Sequence, residues 1–379
     1  MNTFLSAPQQ AAKEQFQAYV REDVAPIAKQ LERKESSMKE CLQKLGQRGY
    51  LGLTVPKEYG GQGTPFLNTV LLAEALGEHE PGVALALAEH TAVIELINKY
   101  GDDRQKSRYL PLLARGECIA AMAVHEEAAG CDINSSVCIV RKEGNQLVLH
   151  GTKTWVVNGD FATLFVVAAK NSESSQLSLF LVDASGDAQS ILVGDDHAKL
   201  GMRSVATNDV QFDSHILAAE ALLQPGTGGI EEQILFAGDI GKSVIAASAL
   251  GMLESSIARS VEHANTREQF GQKIGQFQAI QWKIADMSTE TAACRMLIYR
   301  AAWTKDEEPQ SFRKDAAMCK WYASKIARHQ TGEALQILGV EGLSDTSPTE
   351  RFYRDAKVME ICEGTSEFQK VVLGRELDI

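Results

Sequence analysis

Apolar residues recur every three or four positions through the first third of the chain. Phe16, Val20, Val24, Ile27 and Leu31 form one such stripe and predict an amphipathic helix. Pro26 falls inside this run and should kink or end the helix nearby. The Leu- and Ala-rich stretches Leu67 to Leu76 and Ala84 to Tyr100 continue the helical pattern. Between these segments, Tyr59-Gly60-Gly61-Gln62-Gly63-Thr64-Pro65 reads as a loop. Its glycines have neither the spacing nor the preceding strand of a dinucleotide fingerprint.

The period then changes. Gln146 to Leu149, Leu164 to Ala168, Leu177 to Val182 and Asp209 to Phe212 are short, β-rich and bounded by turn residues. No helices alternate with them, so a barrel or sandwich is expected rather than a doubly wound parallel sheet. Pro225-Gly226-Thr227-Gly228-Gly229 forms a linker, and helical spacing returns with Phe277, Ile280, Ile284 and Met287. The expected fold is α+β and multidomain: an N-terminal helical domain (1–118), a central β-barrel or sandwich domain (119–225) and a C-terminal four-helix-bundle domain (226–379).

Composition narrows the function classes. Of the residues, 44% are hydrophobic and 23% charged, as in an ordinary globular protein. The net charge of −12 argues against a nucleic-acid backbone as partner. Seven scattered cysteines contain no CxxC pair, which speaks for reduced thiols and a cytoplasmic location. Met1 to Gln10 carry no secretion signal, and apolar runs such as Phe161 to Ala169 are too short to span a membrane. His, Cys and acids nowhere take metal-ligand spacing, so no metal is expected.

The candidate chemistry lies near the C-terminus, in Ile361-Cys362-Glu363-Gly364-Thr365-Ser366-Glu367. Gly beside an acid permits close approach to a ligand, and apolar neighbours would raise the acid's pKa towards that of a useful base. A helix N-terminus is the plainer reading of this motif alone. Its company decides: Arg267-Glu268-Gln269-Phe270-Gly271, Phe277-Gln278, Gln336-Ile337-Leu338-Gly339, Arg351 and Arg354-Asp355 precede it in order. So do Val55-Pro56-Lys57-Glu58-Tyr59-Gly60-Gly61, Tyr109-Leu110-Pro111, Gly151-Thr152-Lys153-Thr154-Trp155 and Lys199-Leu200-Gly201-Met202-Arg203. With these motifs the chain resembles the acyl-CoA dehydrogenase flavoprotein family, from about Val20 to Leu377.

The resemblance implies an FAD-dependent enzyme that introduces an α,β double bond into an acyl thioester. It makes Glu363 the base that removes the α-proton as hydride leaves the β-carbon for the flavin. Arg267, Phe270 and Gln278 become FAD contacts supplied across a subunit interface, and Gln336 and Gly339 a second cofactor contact. Thr365 and Glu367 would touch FAD beyond the base, and Trp155 would flank the flavin ring. Asp239, Lys242 and Gly364 fall at the thioester pocket. A homotetramer and an electron-transfer flavoprotein as electron acceptor are also implied. The thioester would be carried by CoA, although some relatives act on carrier-protein substrates.

Several residues depart from the family pattern. His125 stands in place of a Thr that meets the flavin, Cys131 in place of a Ser near the pyrophosphate, and Val157 in place of a Thr that bonds the ring nitrogen. Lys242 replaces an Arg, keeping charge without the planar fork, and Val340 replaces a Gly. These departures point to an unusual substrate or a retuned flavin. The acidic surroundings of Glu78 argue against glutaryl-type substrates. Two rival readings follow: a flavin oxidase, distinguished by peroxide release in air, and a catalytically degenerate flavoprotein, which no thioester would reduce.

Overall fold

The computed structural model describes residues 5–186 and 188–377. The N-terminal stripe folds as α1 (Ala7–Tyr19) and α2 (Ala28–Glu32), separated by a π turn at Val20–Val24 and a 3-10 turn at Ala25–Ile27. Pro26 lies in the 3-10 turn, where its missing N–H and fixed φ end the regular helix. Then come α3 (Met38–Gln47), α4 (Leu67–Gly77), α5 (Pro81–Tyr100) and α6 (Asp103–Arg115). A reciprocal capping box at Asp102 and Gln105 starts α6, and left-handed Gly116 stops it.

The central region contains β1 (Ala120–Ala123), β2 (Ile139–Glu143), β3 (Gln146–Val157), β4 (Leu164–Asn171), β5 (Leu177–Asp183), β6 (Ile191–Asp196), β7 (Thr207–Leu217) and β8 (Leu222–Leu223). They form one sheet in the order β6-β7-β3-β2-β4-β5-β8, with β1 parallel to β4. This corrects the barrel expectation: β6 and β8, at the two ends, do not pair with each other. The physical reason is visible in both strands. β8 is only two residues long, and five of the six residues of β6 face solvent. β4 divides two cores by its period of two. Leu164, Val166 and Ala168 pack with the helices, whereas Phe165, Val167 and Ala169 pack within the sheet domain.

Beyond the linker run α7 (Gly229–Thr266), the short hairpin β9 (Glu268–Gln269) and β10 (Gln272–Lys273), α8 (Gln278–Glu307), α9 (Phe312–Leu338), α10 (Pro348–Met359) and α11 (Ser366–Glu376). Among the described residues α7 alone is long and apolar enough to cross a membrane, a length the sequence reading did not recognise. Yet 78% of its apolar window is buried inside the fold. It packs against α4, α5, α8 and α9 and is therefore the central core helix.

Candidate active site

Glu363 lies in the turn between α10 and α11. Its φ is +54°, followed by +83° at Gly364. A non-glycine residue in the left-handed region is uncommon and must be held there by its surroundings. The Gln369 amide, fully buried on α11, donates to the carbonyls of Glu363 (3.0 Å) and Gly364 (2.9 Å). The Lys320 ammonium on α9 donates to the Gly364 carbonyl at 2.5 Å. Gly241 on α7 completes the seat, since the Glu363 carboxyl occupies the space a Cβ there would need.

This carboxyl faces a cavity of about 430 Å3 between the sheet domain and the helices. The cavity is lined by Glu89 and Ala92 of α5, Met122 of β1, Trp155 of β3, Gly238 and Lys242 of α7, and by Val124, His125 and Gly130 to Asn134. Burial raises the Glu363 pKa, while a hydrogen bond from Glu89 and the charges of Lys320 and Lys242 act the other way. Glu89 is raised well above the ordinary carboxylate range by burial and then by the Glu363 charge. One proton is therefore shared where two carboxyls meet.

The buried pair Lys153–Glu126 fixes the segment carrying His125 and Cys131. The Lys153 ammonium lies 2.5 Å from Glu126 Oε1 and donates to the Val124 carbonyl at 3.1 Å. Glu126 also accepts from Ser136 Oγ and, at 2.7 Å, from the Val137 N–H. Burial opposes its charge, but these donors hold the Glu126 carboxyl down to about 2. His125 is pushed down by burial and by the Lys153 charge, which favours the neutral imidazole. His90, one residue beyond Glu89, is a core histidine, as its position on an apolar helix suggests. It accepts from the Ala120 N–H (3.2 Å), meets the Leu113 carbonyl (3.1 Å) and is pushed down to about 4 by burial.

Six of the residues singled out in the sequence therefore meet at one cavity: Glu363, Gly364, His125, Cys131, Trp155 and Lys242. Asp239 stands behind it, bonded to Lys242 at 2.7 Å and to Arg313 at 3.2 Å. Val157 is buried in the helical core and does not line the cavity. Thr365 and Glu367 turn to a neighbouring cleft bordered by Lys325, Arg328, Lys357 and Lys370. Arg267, Phe270, Gln278, Gln336 and Gly339 are exposed and do not join the Glu363 cavity. A cleft between the C-terminal ends of α7 and α9, lined by Thr266, Leu338 and Val340, adjoins Arg267 and Gly339.

The donor set suits a dinucleotide with a flat ring system and a pyrophosphate. Trp155 leaves 52% of its surface open at the cavity, its other face stacked on His197 at 4.3 Å. In the cationic cleft the Ser366 hydroxyl is buried without a partner, beside the N-terminus of α11. Sequence reading missed Glu89, Gly241, Lys320 and the Glu126–Lys153 pair. For Glu89 a signal existed, because an acid inside so apolar a helix needs a partner or a task.

Family models for the acyl-CoA dehydrogenase N-terminal, middle and C-terminal domains match residues 6–117, 121–215 and 239–377. A short-chain-specific acyl-CoA dehydrogenase of Clostridium acetobutylicum is 33% identical over the full length of both chains. The butyryl-CoA dehydrogenase structure from Megasphaera elsdenii superimposes with a TM-score of 0.94 at 31% identity, covering 100% of each chain. A prolyl acyl carrier protein oxidase superimposes at 0.91 with 28% identity, over 99% of this chain and 100% of the other.

Proposed function

The chain belongs to the acyl-CoA dehydrogenase family of FAD-dependent oxidoreductases acting on CH–CH bonds, and on that premise we propose that Glu363 removes the Cα proton of an acyl thioester in the cavity above it. FAD, when bound, supplies the acceptor for the hydride that leaves Cβ. The observation that carries this reading is the seat of Glu363. A carboxyl with raised pKa lies against Gly241 at the wall of a substrate-sized cavity, on a turn whose backbone carbonyls are held by Gln369 and Lys320. A thioester Cα–H is a weak acid, so the enolate oxygen needs donors as charge develops. The Glu363 backbone N–H is the donor we assign to it. Neutral His125 and the indole of Trp155 would border the flavin ring and keep water from it.

Thr365, Glu367 and Ser366 would approach the cofactor from the cationic cleft, and Lys325 and Lys370 there suit its phosphates. Arg267, Phe270, Gln278, Gln336 and Gly339 would serve the cofactor of a second copy. The support is their distance from the Glu363 cavity, together with an unusual apolar surface: Phe270 is 93% exposed, Val340 83% and Trp282 64%. A homotetramer follows the family pattern, with an electron-transfer flavoprotein as the electron acceptor. The seven free cysteines fit a cytoplasmic setting.

The test is Glu363→Gln with the flavin followed anaerobically. The variant should stay yellow and fail to bleach with any acyl-CoA that bleaches the parent; retained bleaching would move the base elsewhere. A carrier-protein thioester and an oxidase chemistry form the second reading, favoured by the likeness to the prolyl acyl carrier protein oxidase. Stoichiometric peroxide release in air would establish it.

A further inference from the structure

Every residue of α5 from Pro81 to Ile97 is buried except Glu89, which faces the cavity. Its carboxyl hydrogen-bonds to that of Glu363 and accepts from the Met122 N–H, yet its Oε2 is sealed from solvent with no partner among the described residues. Among the described residues no cation is paired with Glu89. Lys242 is 2.7 Å from Asp239, whose other oxygen takes Arg313. The Lys320 ammonium donates a hydrogen bond to the Gly364 carbonyl. His125 is held towards its neutral form. The cavity thus ends in two carboxyls: Glu363 feels the charges of Lys320 and Lys242, whereas Glu89 has no paired cation among the described residues. An acyl group made only of hydrocarbon would cover Glu89 and leave a buried acceptor unsatisfied, an arrangement proteins avoid.

We propose that this site takes an acyl thioester with an amino group on Cα or Cβ, and that Glu89 is the residue that selects it by pairing with the ammonium. The inference rests on Glu363 acting as the base. If Glu363 meets the Cα proton and Glu89 touches Glu363, a nitrogen that reaches Glu89 stands within one or two bonds of Cα. In the free site neutral Glu89 donates its proton to Glu363 and occupies the base. The ammonium takes the place of that proton, which leaves to solvent, and Glu363 becomes free to accept the Cα proton. The redox balance of the reaction is unchanged: one proton goes to Glu363 and one hydride to the flavin.

The experiment uses the FAD-loaded protein and four pantetheine thioesters: butyryl, 2-aminobutyryl, 3-aminobutyryl and 3-hydroxybutyryl. Binding is read by calorimetry in buffers of different ionisation enthalpy, and flavin bleaching is read separately under anaerobic conditions. An amino ester should bind at least tenfold more tightly than butyryl and release close to one proton. Glu89→Gln should abolish the proton release and at least equalise the two affinities. Equal or tighter binding of butyryl by the parent, tightest binding of the hydroxy ester, or a Glu89→Gln effect identical for all four esters would overturn the proposal. If butyryl bleaches the flavin and the amino esters neither bind nor bleach, only the amine selection fails. If the preferred amino ester binds but no ester bleaches the flavin, it is the dehydrogenase reading that fails, and the binding preference stands.

Discussion

The carboxyl of Glu363 lies against Gly241 so closely that no Cβ could stand there without moving it. Gly241 is in the middle of α7, where glycine costs helix stability of the order of 1 kcal/mol relative to alanine. The position gives up that stability to seat the proposed base. Gly241→Ala should therefore stabilise the helix locally but displace the carboxyl. Misplacing a reacting group by about 1 Å can cost on the order of 100-fold in rate. The expected result is unchanged FAD content with substrate-driven bleaching slowed by roughly that factor. Bleaching at the parental rate in Gly241→Ala would show that Glu363 does not need this seat.

The two coupled carboxyls predict a particular pH profile. Glu363 works only when deprotonated, and burial raises its pKa, although Glu89 and the two lysines pull it back. Bleaching should rise with pH, with its midpoint above the ~4.3 of a free glutamate. Because Glu89 titrates with it, the parent should show two steps and Glu89→Gln one. Stopped-flow bleaching across the pH range reads both curves, and a single step in the parent would remove Glu89 from the titrating pair.

Much of the architecture was legible because it rests on local periodicity. The stripe from Phe16 to Leu31 and the alternation in Leu164 to Ala168 each name their own buried face. The barrel was misjudged because closure depends on how the end strands meet, and short β8 and exposed β6 carry no signal of that. At the site, Glu363 was legible through a motif in one segment. Glu89 was not, because its meaning comes from meeting Glu363 across the fold. Motifs quoted separately also prove to be one structure. The Asp355 carboxyl accepts the Met202 N–H at 2.5 Å and so holds Met202 at a φ of +52°.

Burial of Asp355 sets a pH dependence of stability, which the Met202 hydrogen bond only partly opposes. Burial, reinforced by the Glu80 charge, pushes Asp355 up to about 7, against an ordinary value of ~3.9 when unfolded. A raised carboxyl stabilises the fold fully below its unfolded pKa, and this contribution is lost as pH rises through the folded value. Asp355 should thus favour acid conditions, with its contribution fading between about pH 4 and 7. Asp355→Asn should flatten the denaturation midpoint across that window, and a parental slope in the variant would exclude Asp355 as its source.

Glu126 behaves in the opposite sense. Its carboxyl is held down to about 2, so its contribution is present above the unfolded pKa and is lost as pH falls towards 2. Lys153→Met would leave the carboxylate buried without its cation, a change that typically costs about 3–5 kcal/mol. The variant should unfold at markedly lower denaturant concentration. If it folds, it should also lose order in the segment bearing His125, read as faster amide exchange from Val124 to Cys138. Parental stability would mean that Ser136 and the backbone donors suffice to hold Glu126.

Whether Arg267 serves its own chain or its neighbour can be decided by mixing two inactive proteins. Take Glu363→Gln, which lacks the base, and Arg267→Ala, which should lose FAD because Arg267 is the proposed pyrophosphate contact. In a symmetric pair, each site would combine Glu363 of one copy with Arg267 of the other. A mixed pair then contains one site with both defects and one with neither. Random reassociation makes half the pairs mixed, so about a quarter of the parental sites should recover. If Arg267 acts within its own chain, every site keeps one defect and no activity returns. The measurement is dehydrogenation after co-refolding the two variants with FAD, with each variant refolded alone as the control.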